Sequence, residues 1–385
     1  MSLLLLLGIP ICSAGIYCIY KKYYSKNDDM IELKYDDLYH YQRKEKAYVI
    51  TKFTFDFFPN NIDDIFLLRL NNIVDNIKVC KLEKTQYDNK LRYTTKNNDQ
   101  LINSLNLNKF IPSSNSELIL KTHQSDQLLS FVLDKNNKQI KVCWNHGVLD
   151  GIKFIEMMLI LSNDINALKL NLPKNTFFKT MFSLGKLLCN RSILYKTGDL
   201  HKDTENGVIY SFIIKKTEID NIRNLNNCSF MAAYQYIILK KIEGYVSKLV
   251  IATVIAISNP CQYNTSGAIP YYIDLSEENH LIAQNIDKKL KQNSYFTMIT
   301  TSQLIKSVLK SKKNNINIMF SSIPISKNKL YMGDSILTSY DMYMPYHSAP
   351  VYVFSGKVDD NIYVNMGVKN KGLIEYLKQY NWKTI

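Results

Sequence analysis

The 385-residue chain is poor in glycine, proline and arginine, and its cysteines follow no regular pattern. With 13 Gly and 9 Pro, it is neither collagen-like nor of low complexity. The seven Cys include no Cys-x-x-Cys pair, which argues against a zinc site or a disulfide framework and favours free thiols in a reducing compartment. No His, Cys, Asp or Glu grouping has metal-ligand spacing. Arginine is scarce among the 48 basic residues and no nucleic-acid-binding motif occurs, so the net charge of +14 does not predict a nucleic-acid partner.

The longest apolar segment lies at the N-terminus. An uncharged run extends from Leu3 to Tyr20 and is followed by lysines. As a helix it would be about 27 Å long, just enough to cross the hydrocarbon core of a bilayer. A cleaved signal peptide and a buried helix are the alternatives, but the basic residues follow the run instead of preceding it. We therefore predict an N-terminal hydrophobic helix that anchors residues 1–26 in a membrane, a linker over 27–44 and a cytosolic body.

The rest of the chain alternates between strand-like and helix-like spacing of apolar residues. The clearest strands are predicted over 47–55, 140–144, 208–214, 316–320 and 351–354, and the clearest helices over 62–75, 151–161, 229–249 and 277–292. Residues 97–115 are predicted to be a polar loop, and Leu118–Lys121 a short strand. Because the alternation occurs twice, with a break near 170–205, the sequence predicts a mixed α/β (α+β) protein. Its two lobes would span residues 45–205 and 206–385.

One short segment carries a pattern typical of catalysis. Asn145-His146-Gly147-Val148-Leu149-Asp150-Gly151 lies between a predicted strand and a predicted helix. A neutral imidazole, with an unperturbed pKa of about 6.5, can take a proton from a hydroxyl, amine or thiol near neutral pH. A carboxylate in the first turn of a helix is favoured by the helix dipole, so Asp150 would fix the turn that directs His146. Gly151 would relieve crowding where the strand, turn and helix meet. A buried structural histidine beside a helix cap is the alternative.

His146-x-x-x-Asp150-Gly151 resembles the signature of the chloramphenicol acetyltransferase-like acyltransferase superfamily. Phe320-Ser321-Ser322-Ile323-Pro324 is similar to a segment of the wax ester synthase/diacylglycerol acyltransferase branch, and that branch or the alcohol acetyltransferases fit best. The resemblance, over about residues 45–385, implies a two-lobed chloramphenicol acetyltransferase-like fold. It also implies that His146 is the general base, that acyl-CoA or an acyl-carrier thioester is the donor, and that no cofactor is permanently bound.

The resemblance further implies a lipid or alcohol hydroxyl as the acceptor, with an amine as a possibility. It makes Ser321 or Ser322 a candidate donor to the oxyanion, with ordinary strand-end polarity as the alternative. His347 could line the cleft, although a surface loop position is the simpler interpretation. The lysines Lys310, Lys312 and Lys313 could contact CoA phosphates or an anionic membrane surface, although a solvated helix end is the simpler interpretation.

The sequence also departs from the family pattern. Asn145 stands where many members have a first histidine, and an expected arginine is absent near residues 259–262. A second hypothesis therefore stays open, in which the protein is a catalytically inactive acyltransferase-fold member that serves as a membrane-tethered binding or scaffold protein.

Overall fold

The computed structural model describes most of the chain from residue 30 onward. The described residues are 30–33, 41, 43–87, 90–107, 112–149, 151–162, 198–204, 207–256, 266–292, 296–297, 316–323, 330–344 and 349–384.

The described residues form strands and helices in alternation. The strands are β1 (Met30–Glu32), β2 (Tyr48–Phe55), β3 (Leu82–Lys84), β4 (Lys90–Tyr93), β5 (Leu129–Asp134), β6 (Gln139–Asn145), β7 (Val208–Lys215), β8 (Lys248–Ala256), β9 (Ser266–Asp274), β10 (Phe296–Thr297), β11 (Ile318–Ile323), β12 (Tyr331–Met332), β13 (Ser335–Tyr343), β14 (Val351–Val358), β15 (Asn361–Val368) and β16 (Lys383–Thr384). The helices are α1 (Ile62–Asn76), α2 (Asn98–Leu105), α3 (Asn115–Gln124), α4 (Gly151–Leu161), α5 (Lys216–Asn226), α6 (Phe230–Lys240), α7 (Asn279–Gln292) and α8 (Lys371–Leu377), with 3-10 helices at Lys44–Ala47 and Lys78–Lys81.

Two large sheets organise the fold. An antiparallel sheet has the order β12-β13-β2-β6-β5, and a mixed sheet has the order β10-β9-β8-β11-β14-β15-β7-β16. In the mixed sheet β11 runs parallel to both β8 and β14. All other neighbouring strands of that sheet are antiparallel to each other. A small third sheet has the order β1-β4-β3. The two large sheets confirm the predicted mixed α/β fold with two lobes.

Side chains of β11 alternate between the cores of the two lobes. Ile318 and Phe320 are buried in the core that includes α6 and α7, whereas Met319 is buried in the core that includes α1 and α4. Such alternation follows from the two-residue period of a strand. As a result, β11 brings one face of the larger sheet against the first lobe.

One strand from late in the chain pairs in the first lobe. Strand β13 lies beside β2, with Tyr340 opposite Phe53. It therefore belongs to the five-stranded sheet, although it falls in the 206–385 range assigned to the second lobe. The division at 205/206 stays a prediction, and this pairing connects the two ranges through a shared sheet.

A buried carboxylate joins the small sheet to the loop that leads into β5. Glu83 is 3% exposed. It accepts hydrogen bonds from Thr94 Oγ1 at 2.8 Å and Gln127 Nε2 at 3.2 Å, and it pairs with Lys96 at 2.8 Å and Arg92 at 3.3 Å. Burial alone would raise the pKa of Glu83, but these hydrogen bonds and cations outweigh it and hold the pKa below its usual range.

Two local predictions were wrong. The segment predicted as the strand Leu118–Lys121 lies within helix α3, because Ser114 caps that helix by accepting a hydrogen bond from the Glu117 N–H at 3.1 Å. Residues 97–115, predicted to be a loop, contain helix α2. Asn97 and Gln100 form a reciprocal capping box at its start.

The predicted membrane-anchored localisation is corrected. Within the described ranges, no helix is both long and apolar enough to span a bilayer. The anchor was assigned to residues 3–20, which lie outside the described residues. The N-terminal hydrophobic helix, and the cytosolic placement of the body that depended on it, therefore have no structural support.

Candidate active site

His146 lies immediately beyond the end of β6. The backbone N–H of Asn145 donates to the Leu128 carbonyl at 2.9 Å, and that of His146 donates to the Ala47 carbonyl at 2.8 Å. These bonds hold the strand end on both sides, against β5 and β2. The chain then turns, so His146 lies at the end of a strand, between strand and helix, as the sequence predicted.

Asn145 builds the turn that carries His146. Its side-chain Oδ1 accepts a hydrogen bond from the Gly147 N–H at 2.8 Å. Its backbone carbonyl accepts from the N–H groups of Val148 at 3.2 Å and Leu149 at 3.1 Å. Asn145 is only 2% exposed, so water does not replace these bonds. Asparagine side chains commonly stabilise turns in this way.

Trp144 packs beside the imidazole. The centroids of the Trp144 and His146 rings are 5.6 Å apart, with 31° between the ring planes. Trp144 is itself fixed, because its indole N–H donates to Thr51 Oγ1 at 3.1 Å and its ring stacks on Phe154 at 5.1 Å. Phe154 in turn stacks on Phe53 at 5.9 Å. The sequence analysis missed Trp144, although its position two residues before His146 in a strand could have placed both on one side.

Helix α4 begins at Gly151, one residue after Asp150. Asp150 lies outside the described residues, so its role in fixing the His146 turn stays a prediction. The helix packs against α1 in the first lobe and also contacts β11 of the larger sheet. The turn that carries His146 therefore leads directly into the helix that touches both lobes.

The two candidate oxyanion donors lie on opposite faces of β11. Ser322 is paired with Ser355 of the neighbouring strand β14, and the Ser355 hydroxyl donates a hydrogen bond to Ser322 Oγ at 3.0 Å. Ser321 is on the face of Met319, the face that contributes to the first-lobe core. It shares a hydrogen bond with the Tyr352 side chain, which offsets part of the increase that burial causes in the Tyr352 pKa. Geometry thus separates the pair and leaves Ser321 facing the lobe that holds His146.

A partly buried lysine lies on the face of the five-stranded sheet opposite to the one that carries Trp144. Lys84 Nζ donates to the carbonyls of Ser125 at 2.8 Å and His123 at 2.5 Å, at the end of α3, and lies 5.6 Å from the Tyr48 ring centroid. Burial lowers the pKa of Lys84 to about 8. Tyr48 is opposite Asn145 in the pairing of β2 with β6, so this cluster lies behind the His146 turn.

Four further predicted site residues lie outside the described residues. They are His347, Lys310, Lys312 and Lys313, and their roles stay predictions. In the part of the chain that the structure describes, no group of three or more His, Cys, Asp or Glu side chains could hold a metal ion.

Comparison with known proteins gives the fold but no close relative. The sequence matches no protein-family model and no curated protein. Solved structures do match. The trichothecene 15-O-acetyltransferase TRI3 from Fusarium sporotrichioides has a TM-score of 0.62 at 11% identity, over 91% of this chain and 94% of the other. The first condensation domain of the calcium-dependent antibiotic synthetase, in complex with a substrate analogue, has a TM-score of 0.60 at 9% identity over the same shares.

A third match broadens the set. The epimerization domain of the third module of tyrocidine synthetase B has a TM-score of 0.54 at 12% identity, over 91% of this chain and 94% of the other. The chain therefore has the two-lobed condensation-domain, or chloramphenicol acetyltransferase-like, fold. These likenesses do not single out the wax ester synthase or alcohol acetyltransferase branch.

Proposed function

We propose that this protein is an acyltransferase that moves an acyl group from a thioester to an acceptor hydroxyl, with His146 as the general base. The observation that carries the proposal is the position of His146. It lies at a strand end, in a turn built by Asn145, directly before the helix that contacts both lobes. Solved proteins of this fold include an O-acetyltransferase and condensation domains, one of them a variant in complex with C8-CoA.

The proposed reaction needs one proton transfer and one group transfer. His146 removes the acceptor hydroxyl proton as the oxygen attacks the thioester carbonyl. The tetrahedral oxyanion would accept a hydrogen bond from the Ser321 hydroxyl, since Ser321 faces the first lobe and Ser322 does not. Collapse of the intermediate expels the thiolate, which takes the proton from the imidazolium. Acyl-CoA is the proposed donor and acts as a co-substrate, or an acyl-carrier thioester takes its place.

The acceptor class remains part of the proposal. A lipid or alcohol hydroxyl is favoured by the Ser321-Ser322 segment of the wax synthase type, and an amine would use the same base. The competing proposal is an inactive scaffold protein. It is favoured by the missing first histidine and by the Trp144 ring packed beside His146.

The test measures CoA release by the 385-residue chain. It uses acyl-CoAs of graded chain length with pools of alcohols, diacylglycerol and amines, beside His146→Ala. Release that requires an acceptor and disappears in the variant supports the acyltransferase. If the folded protein binds acyl-CoA but releases no CoA with any pool, the scaffold proposal replaces it.

A further inference from the structure

The imidazole of His146 has an aromatic neighbour that the proposed reaction does not yet use. In a strand, residues two apart point to the same side, and Trp144 and His146 keep this relation at the end of β6. Their ring centroids are 5.6 Å apart and the ring planes are tilted by 31°. One side of the imidazole is therefore covered by protein, and substrates must approach from another side.

Trp144 is held more firmly than a side chain that only fills space. It is 1% exposed, its N–H donates to Thr51 Oγ1 at 3.1 Å, and Phe154 stacks on it at 5.1 Å with 24° between the planes. Thr51 is itself fully buried. The indole therefore offers the imidazole a fixed surface, and it limits the rotation of that ring.

We propose that Trp144 is a positioning residue that orients His146 and stabilises its protonated form when it has taken the acceptor proton. The faces of an indole ring carry partial negative charge and attract cations, most strongly where water is excluded. The neutral imidazole gains less from this contact than the imidazolium that forms in the transition state. Its role in catalysis rests on the proposed function, whereas the ring contact and its effect on protonation do not.

Several charged or titratable groups lie around the turn. They are Lys44, Glu45 and Lys46 in the 3-10 helix before β2, Lys153 and Glu156 in α4, Lys84 in β3 and His123 in α3. Because the pKa of Lys84 is about 8, this lysine also titrates within the pH range used below, and the His146→Gln control retains it. Lys153 and Glu156 pair with each other at 2.7 Å. On the turn itself Asp150 is the one charged residue in the sequence, and β11 has no charged residue between Ile318 and Ile323. Any pH effect must be compared between variants that keep all of these groups.

The chain offers a spectroscopic test because it has only two Trp. The second, Trp382, stacks on Phe212 and Tyr380 in the second lobe. Trp382→Phe in the 385-residue chain therefore has Trp144 as its single tryptophan, which is excited selectively at wavelengths beyond the absorption of the 27 Tyr. Protonated imidazole quenches a neighbouring indole, so Trp144 emission should fall in one transition as the pH is lowered from 8.5 to 5. The same titration of Trp382→Phe with His146→Gln should show no such transition.

A second measurement gives the effect on protonation without requiring turnover. The rate at which diethyl pyrocarbonate modifies His146, read by peptide mass spectrometry, follows its neutral form. In Trp144→Leu the midpoint of this rate against pH should fall by roughly half a pH unit, and Trp144→Phe should keep most of the original midpoint. If either Trp144 variant fails to fold, Thr51→Val keeps the indole but removes its hydrogen bond, and it should shift the midpoint in the same direction by less.

The outcomes separate the two proposals. Unchanged Trp144 emission across this range, or a transition that persists without His146, would overturn the positioning role even if the enzyme is active. A transition that depends on His146, together with the midpoint shift, would support the role even if no acyl donor is turned over. If turnover is found, the acid limb of kcat/KM in Trp144→Leu should move with the modification midpoint.

Discussion

The hydrogen bond between Asn145 and Gly147 offers the sharpest test of how the turn positions His146. In Asn145→Ala the Gly147 N–H loses its acceptor at a position where the parent side chain is 2% exposed. A buried donor left without a partner costs about 1–3 kcal/mol. We therefore expect the free energy of unfolding to fall by that amount, and turnover to fall roughly tenfold to a hundredfold because the base is no longer held in place.

Two further variants make the result specific. In Asn145→His, Nδ1 occupies a place similar to that of Oδ1 and can accept the Gly147 N–H, so part of the lost stability and turnover should return. Asn317→Ala is the control, because Asn317 is 3% exposed, its Oδ1 accepts from the Val250 N–H at 2.7 Å and its Nδ2 donates to the Leu200 carbonyl at 2.6 Å in the second lobe. It should lose at least as much stability as Asn145→Ala and keep its turnover under conditions where it is folded.

The assays are urea unfolding followed by circular dichroism and steady-state CoA release at several pH values. The reasoning about Asn145 would be refuted if Asn145→Ala unfolded at the same urea concentration as the parent protein. It would also be refuted if Asn317→Ala reduced turnover as strongly as Asn145→Ala, since the effect would then be general destabilisation.

Three other predictions concern the oxyanion donor, a buried carboxylate and a partly buried lysine. Ser321→Ala should lower kcat by roughly 10²–10³-fold, the usual loss for an oxyanion donor, whereas Ser322→Ala on the other face should change it little, as measured by CoA release. The pKa of Glu83 is lowered, so its charged form stabilises the fold above the ordinary Glu pKa of about 4.3, and this contribution is lost as the pH falls through the pKa of the folded protein. In urea unfolding, Glu83→Gln should therefore reduce the free energy of unfolding at pH 7, but much less at pH 3. The pKa of Lys84 is lowered from 10.5 to about 8, so between pH 8 and 10.5 the unfolded chain binds more protons than the folded protein. As the pH increases through this range, the free energy of unfolding of the parent should therefore rise relative to that of Lys84→Met in urea unfolding.

Each of these predictions has a clear contrary result. Equal losses in both serine variants would show that the strand face does not select the donor. A Glu83→Gln variant as stable as the parent at pH 7 would mean that the ion pairs with Lys96 and Arg92 contribute nothing net. A pH-independent difference between Lys84→Met and the parent would contradict the lowered lysine pKa.

Much of the fold could be predicted from the sequence because it depends on local periodicity. The strand beginning near Tyr48 and the helix beginning at Ile62 match their predicted positions within a few residues. Local capping overrode the apolar pattern elsewhere, as in α3, where Ser114 starts a helix over a segment with strand-like residues. The position of His146 at a strand end followed from the same local signals.

Long-range contacts could not be predicted in this way. Strand β13 pairs with β2 although Tyr340 and Phe53 lie 287 positions apart in the sequence, and a periodic pattern contains no information about such a partner. Likewise Ser321 and Ser322 are neighbours in sequence, and only the pairing of β11 with β14 shows which of them faces the first lobe.

The sequence by itself determined the alternation of strands and helices, the two-lobed α/β class and the residues His146, Asp150 and Gly151 as the candidate motif. These are properties of residue type and spacing, which act over a few positions. The tertiary structure decided that Asn145 stabilises the turn that carries His146, that Trp144 covers one side of the imidazole, and that helix α4 connects the motif to the second lobe. These features depend on which distant surfaces pack together, and packing is fixed only when the whole chain has folded.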